Sequence, residues 1–122
     1  LEICKYLYGK YKLYIVTNGK KSVQDGRFDP SPLAPMFEGV FVSEEIGFEK
    51  PRREFFDAVS SKIDGFCPED AIIIGDSLTS DMQGGINYGI DTCWFNPQSK
   101  AVPEGMKLNY IINSLDELRA IL

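Results

Sequence analysis

Ala71-Ile72-Ile73-Ile74-Gly75-Asp76-Ser77-Leu78-Thr79-Ser80-Asp81 is the stretch that decides the fold. Four apolar residues in a row, three of them β-branched, suit a strand buried on both faces, as the strands of parallel sheets are. Gly75 and Asp76 break the run. A helical pattern then resumes around Ser80 to Tyr88, and Gly89 follows where a left-handed C-terminal cap belongs. A strand feeding a helix through so short a connection is half of a βαβ unit.

The same alternation extends in both directions. Downstream, Thr92 to Phe95 and Tyr110 to Ile112 read as further strands. Ser114-Leu115-Asp116-Glu117 is a capping box opening a last helix, with Leu115, Leu118 and Leu122 among its apolar positions. Upstream, Leu13 to Val16 is a short apolar strand closed by Asn18-Gly19, and Val40 to Val42 is another. Pro51 suits the first position of a helix, where its missing N–H costs nothing, and Phe55, Val59 and Ile63 form one apolar stripe behind it. Leu1 to Leu7 reads as an opening helix, and Lys20 to Phe28 as one broken by Pro30, Pro32 and Pro35. These elements predict one domain over 1–122: an α/β, Rossmann-like, mostly parallel sheet with flanking helices.

Composition narrows the function. With 122 residues, 43% hydrophobic and 25% charged, the chain has the makeup of a globular domain, not of a disordered tail. A net charge of -5 argues against nucleic acid as a partner, since such a groove needs clustered Lys and Arg. The three cysteines, Cys4, Cys67 and Cys93, are odd in number and widely spaced, which suits reduced thiols and a cytoplasmic location. The absence of histidine removes Ser-His and Cys-His nucleophile pairs. No apolar run approaches membrane-spanning length, so a membrane is not an expected partner.

Open parallel sheets bind ligands beyond the carboxyl ends of their strands. There the sequence sets Thr17-Asn18-Gly19, then Lys50 in Gly47-Phe48-Glu49-Lys50-Pro51, then Asp76 and Asp81. Singly, each has an ordinary reading: a turn, a solvated lysine, carboxylates charging a helix start. Together they point to phosphoryl transfer at Mg²⁺, a hard cation that needs only one or two carboxylates besides phosphate and water. Asp76 is the expected ligand, with Asp81 a second ligand or an orienting neighbour. Thr17 and Asn18, with backbone N–H groups of the Gly19 turn, would bind phosphate oxygens. Lys50 would neutralise charge on the transferring group.

These residues resemble the haloacid dehalogenase superfamily of aspartate-nucleophile hydrolases. Tyr14-Ile15-Val16-Thr17-Asn18-Gly19 resembles its second motif, Lys50-Pro51 its third, and Ile74-Gly75-Asp76 through Asp81 its fourth, all in the family's order. Val42-Ser43-Glu44-Glu45-Ile46-Gly47 and Gly89 to Asn96 are most similar to pyrimidine nucleoside-monophosphatases. The resemblance implies a Mg²⁺-dependent hydrolase of small phosphate monoesters working through a phosphoaspartate, with Thr17 and Lys50 catalytic.

It also implies a departure. The family's first motif, Asp-x-Asp-x-Thr, supplies the nucleophile and the general acid, and no match occurs here; Asp25-Gly26-Arg27-Phe28-Asp29 has the wrong spacing and no strand before it. That strand would run between the Leu13 and Ala71 strands, and a substrate-selecting cap would lie upstream. The chain is therefore expected to be a partial core, inactive alone. Three arrangements could satisfy the vacant slot: a dimer or swapped pair, direct contact between its two walls, or a complementing chain. The alternatives are half of a split enzyme, or a non-catalytic module that binds Mg²⁺ and phosphate or serves assembly. A phosphoacceptor receiver domain has similar ingredients but the reverse order, its acidic pair first and its lysine last.

Overall fold

The computed structural model describes residues 2–17 and 36–122. Helix α1 (Glu2–Tyr8) leads into β1 (Leu13–Thr17); β2 (Phe37–Val42) runs directly into the short α2 (Ser43–Ile46), and α3 (Arg53–Ser61) follows. After a 3-10 turn at Pro68–Asp70 come β3 (Ile72–Gly75), a π-helix (Leu78–Met82), α4 (Gln83–Tyr88) and β4 (Asp91–Phe95). Strand β5 (Tyr110–Ile112), a 3-10 turn at Leu115–Glu117 and α5 (Leu118–Ile121) close the chain.

All the strand pairs are parallel, as the apolar runs predict, but they form two sheets. One is β1-β2; the other has the order β3-β4-β5. Among the described residues β1 and β3 share no ladder. Direct pairing of the two walls, one of the expected arrangements, is absent there.

Alternation along the strands of the larger sheet sorts its side chains onto two faces. Ile73 and Trp94 go to one face, where Phe55, Phe56 and Val59 of α3 and Met82 of the π-helix join them in a core cluster. Cys93 and Ile112 go to the other, with Ile3 and Leu7 of α1 and Leu118 of α5. Trp94 and Phe55 are almost wholly buried, each contributing roughly 1.5–3 kcal/mol by leaving water. Helix α4 seats closely because it is glycine there: a methyl group on Gly85 would lie 2.7 Å from Ile73 Cγ2 and from Thr92 Cγ2.

Several boundaries depart from the sequence reading. Pro51 is not the first residue of α3, which begins at Arg53 with Arg52 as its N-cap. The residues before it are spent turning Lys50 inward, and the Lys50–Pro51 bond is cis. Ile63 falls beyond the end of α3, although it still packs on the core. The Ser114–Glu117 capping box is present, but it opens a 3-10 turn ahead of a single α-helical turn. Gly89 is the left-handed cap, with φ 91°. The helix expected over Lys20 to Phe28 lies outside the described residues.

Candidate active site

The site is built from three connections at the carboxyl ends of β1 and β3. Strand β1 ends at Thr17, in register with Val42 of β2. Lys50 enters from the loop between α2 and α3. Its side chain is buried, at 8% exposure. Its Nζ donates to the Val16 carbonyl oxygen at 3.1 Å and forms an ion pair with Asp81 Oδ1. One lysine thus ties the end of β1 to the turn that follows β3.

That turn is Gly75-Asp76-Ser77, and the π-helix shapes it. Ser77 caps the π-helix: its Oγ accepts from the Ser80 N–H at 3.1 Å, and its carbonyl accepts from both Asp81 N–H at 3.1 Å and Met82 N–H at 3.0 Å. The wider turn carries Asp81 back over the strand end, where Asp81 Oδ2 accepts a long bond, 3.4 Å, from the Ser77 N–H. Gly75 has to be glycine for this: a Cβ there would sit 2.6 Å from Asp81 Cγ. Asp76 projects at the exposed crest of the same turn. Its carbonyl accepts a 3.1 Å hydrogen bond from Trp94 Nε1.

Thr17, Lys50, Asp76 and Asp81 all line one cleft of about 970 Å³, whose walls are β1 and β3. The structure therefore brings together four of the residues singled out from sequence. Asn18 and Gly19 lie outside the described residues. Ser77 and Ser80 join the same lining; as the cap of a π-helix and a residue within it, they had no pattern to reveal them. Trp94 enters through its hydrogen bond to Asp76.

The donor set bears on magnesium. Among the described residues no three His, Cys, Asp or Glu side chains cluster as a metal cage. Asp81 is engaged by Lys50, while Asp76, exposed on the same turn, offers a hard oxygen donor to the cleft. One carboxylate, with waters and a phosphate oxygen, is within what Mg²⁺ accepts, so the residues fit that ion. Among the cysteines, Cys93 stands out chemically. Burial, aided by the negative charge of Glu117, pushes its thiol up to about 11, but it lies in the core on the far face of the sheet.

Comparison with known proteins shows the family to which the chain belongs. The family model for haloacid dehalogenase-like hydrolases matches residues 2–95. The Bacillus subtilis protein YfnB is 46% identical over 122 residues, 99% of this chain and 52% of its own length. The pyrimidine 5'-nucleotidase PynA of Streptococcus pneumoniae is 48% identical over 87 residues, 71% of this chain and 37% of its own. The pyrimidine 5'-nucleotidase YjjG of Escherichia coli is 34% identical over 114 residues, 93% of this chain and 51% of its own. The crystal structure of magnesium-bound YfnB superposes with a TM-score of 0.96 at 44% identity, covering 99% of this chain and 53% of that one. The chain spans about half the length of YfnB and YjjG. It belongs to the haloacid dehalogenase-like hydrolases, close to the pyrimidine 5'-nucleotidases among them.

Proposed function

From its membership of the haloacid dehalogenase-like hydrolases, we propose that this chain is the phosphate- and cation-binding part of a phosphomonoesterase core, with nucleoside monophosphates as substrates. The observation that carries the reading is the convergence of Thr17, Lys50 and Asp76 on the mouth of one cleft at the carboxyl ends of β1 and β3. The kinship with two pyrimidine 5'-nucleotidases supports the substrate class.

In this reading the Thr17 hydroxyl, with Asn18 and the Gly19 N–H, binds phosphate oxygens. The Lys50 ammonium offsets the charge on the transferring group, and its hold on Val16 and Asp81 fixes it before substrate arrives. Asp76 is the metal ligand and Asp81 the orienting partner of Lys50. When bound, Mg²⁺ supplies charge neutralisation at the phosphoryl oxygens. The attacking carboxylate comes from an Asp-x-Asp-x-Thr strand seated between β1 and β3, parallel to both. That carboxylate displaces the ester oxygen from phosphorus, the second aspartate protonates the leaving oxygen, and water later cleaves the aspartyl phosphate. Without that strand the chain binds Mg²⁺ and phosphate and does not turn over.

Titration calorimetry with Mg²⁺ tests the metal assignment. Asp76→Asn is expected to weaken binding by at least tenfold, while Cys93→Ser leaves it unchanged. Equal affinity in the two variants would remove Asp76 from its role.

A further inference from the structure

We infer that Trp94 is a positioning residue for the metal carboxylate, acting through the backbone of Asp76; this rests on the proposed role of Asp76. Asp76 sits in a gap between regular structures. The β3–β4 ladder ends at the pair Gly75 and Trp94, and the π-helix begins at Leu78 with Ser77 as its cap. The Asp76 carbonyl thus belongs to neither the ladder nor the helix, and Trp94 Nε1 supplies it with a donor at 3.1 Å.

The direction of this contact is set by the sheet. Trp94 is only 2% exposed and sits on β4, in register with Gly75, so its indole cannot follow a wandering loop. Its one polar atom emerges from the core at the turn. The turn is then gripped from two sides, by the Asp81 carboxylate over Gly75 and Ser77 and by the indole at Asp76. The Asp76 side chain itself is exposed, so its aim depends on its backbone. A donor that fixes the carbonyl therefore fixes where the carboxylate points. Metal affinity depends on such outer contacts because an ordered ligand has less freedom to lose on binding.

The test compares Mg²⁺ affinity in the protein as its source makes it and in Trp94→Phe, Phe55→Leu and Asp76→Asn. Trp94→Phe keeps a ring in the core and deletes the donor, and is expected to bind about three- to tenfold more weakly, the size of one lost hydrogen bond. Phe55→Leu loosens the same core cluster away from the turn and is expected to keep its metal affinity while its melting temperature falls. Wild-type affinity in Trp94→Phe beside loss in Asp76→Asn would overturn the inference, as would an equal fall in Phe55→Leu. Wild-type affinity in Asp76→Asn would instead overturn the reading on which it rests. Should Trp94→Phe not fold, the ¹⁵N-labelled indole N–H of the wild-type protein decides. Its resonance is expected to shift with Mg²⁺ saturation, and an unmoved resonance would overturn the inference.

Discussion

Lys50 shows how much of the site one residue carries. A buried ammonium is tolerated only with partners, and here the Val16 carbonyl and the Asp81 carboxylate, itself 13% exposed, are among them. Lys50→Met strands the Asp81 charge and should cost about 3 kcal/mol or more in a denaturant titration. The double variant Lys50→Met, Asp81→Leu should recover most of that loss while abolishing phosphate binding. Cys93 gives a second residue-scale test. Its folded thiol titrates at about 11 against an ordinary 9.0, because burial disfavours the thiolate. A neutral thiol held more tightly in the folded state stabilises fully below pH 9.0 and is lost as pH rises toward about 11. The stability difference between wild type and Cys93→Ala should therefore shrink from pH 8.5 to 11. A constant difference would show that the thiol does not ionise differently on unfolding. The sequence made Lys50, Asp76 and Asp81 visible because each follows an apolar strand or loop signal. It hid Trp94, whose bond to Asp76 depends on the pairing of Gly75 with Trp94 across the ladder.

At the scale of elements, α4 separates two uses of glycine. Gly89 is needed for its backbone, with φ 91° at the helix end, and nothing lies within 4 Å of where its Cβ would be. Gly85 is needed for its lack of bulk against Ile73 and Thr92. Gly89→Ala should cost about 1 kcal/mol through backbone strain. Gly85→Ala should cost about 1–3 kcal/mol by pushing the helix off the sheet. Thermal melts of the two would rank them, and a larger loss in Gly89→Ala would contradict this packing. Most elements were legible, since apolar runs, Gly89 and the Ser114–Glu117 box are local signals. The π-helix was not, because over five residues the apolar spacing does not separate i→i+5 from i→i+4 bonding. The start of α3 was misplaced for a different reason. Pro51 is permitted at a helix start, but the inward course of Lys50 takes the residues that a longer helix would have used.

At the scale of the whole molecule, the described residues form two parallel half-sheets that wall a cleft of about 970 Å³, and the site residues line it. Among the described residues no ladder joins β1 to β3, and in the proposed reading a strand parallel to both lies between them. The expectation of such a strand comes only through resemblance, since composition and periodicity report nothing about it. The half-sheets themselves were legible as strands, but their division between β1 and β3 was legible only through that resemblance, because pairing partners leave no mark in a single sequence. The substrate-selecting part was likewise beyond reach. The central claim is that Thr17, Lys50 and Asp76 form a working half-site whose chemistry waits on a strand between β1 and β3. Phosphate release from a pyrimidine nucleoside monophosphate with Mg²⁺ tests it most directly, measured on the chain alone and after adding a strand peptide bearing Asp-x-Asp-x-Thr. The account predicts no release from the chain alone, and release with the peptide that disappears in Asp76→Asn. Turnover by the chain alone, or peptide-dependent release that survives Asp76→Asn, would contradict it.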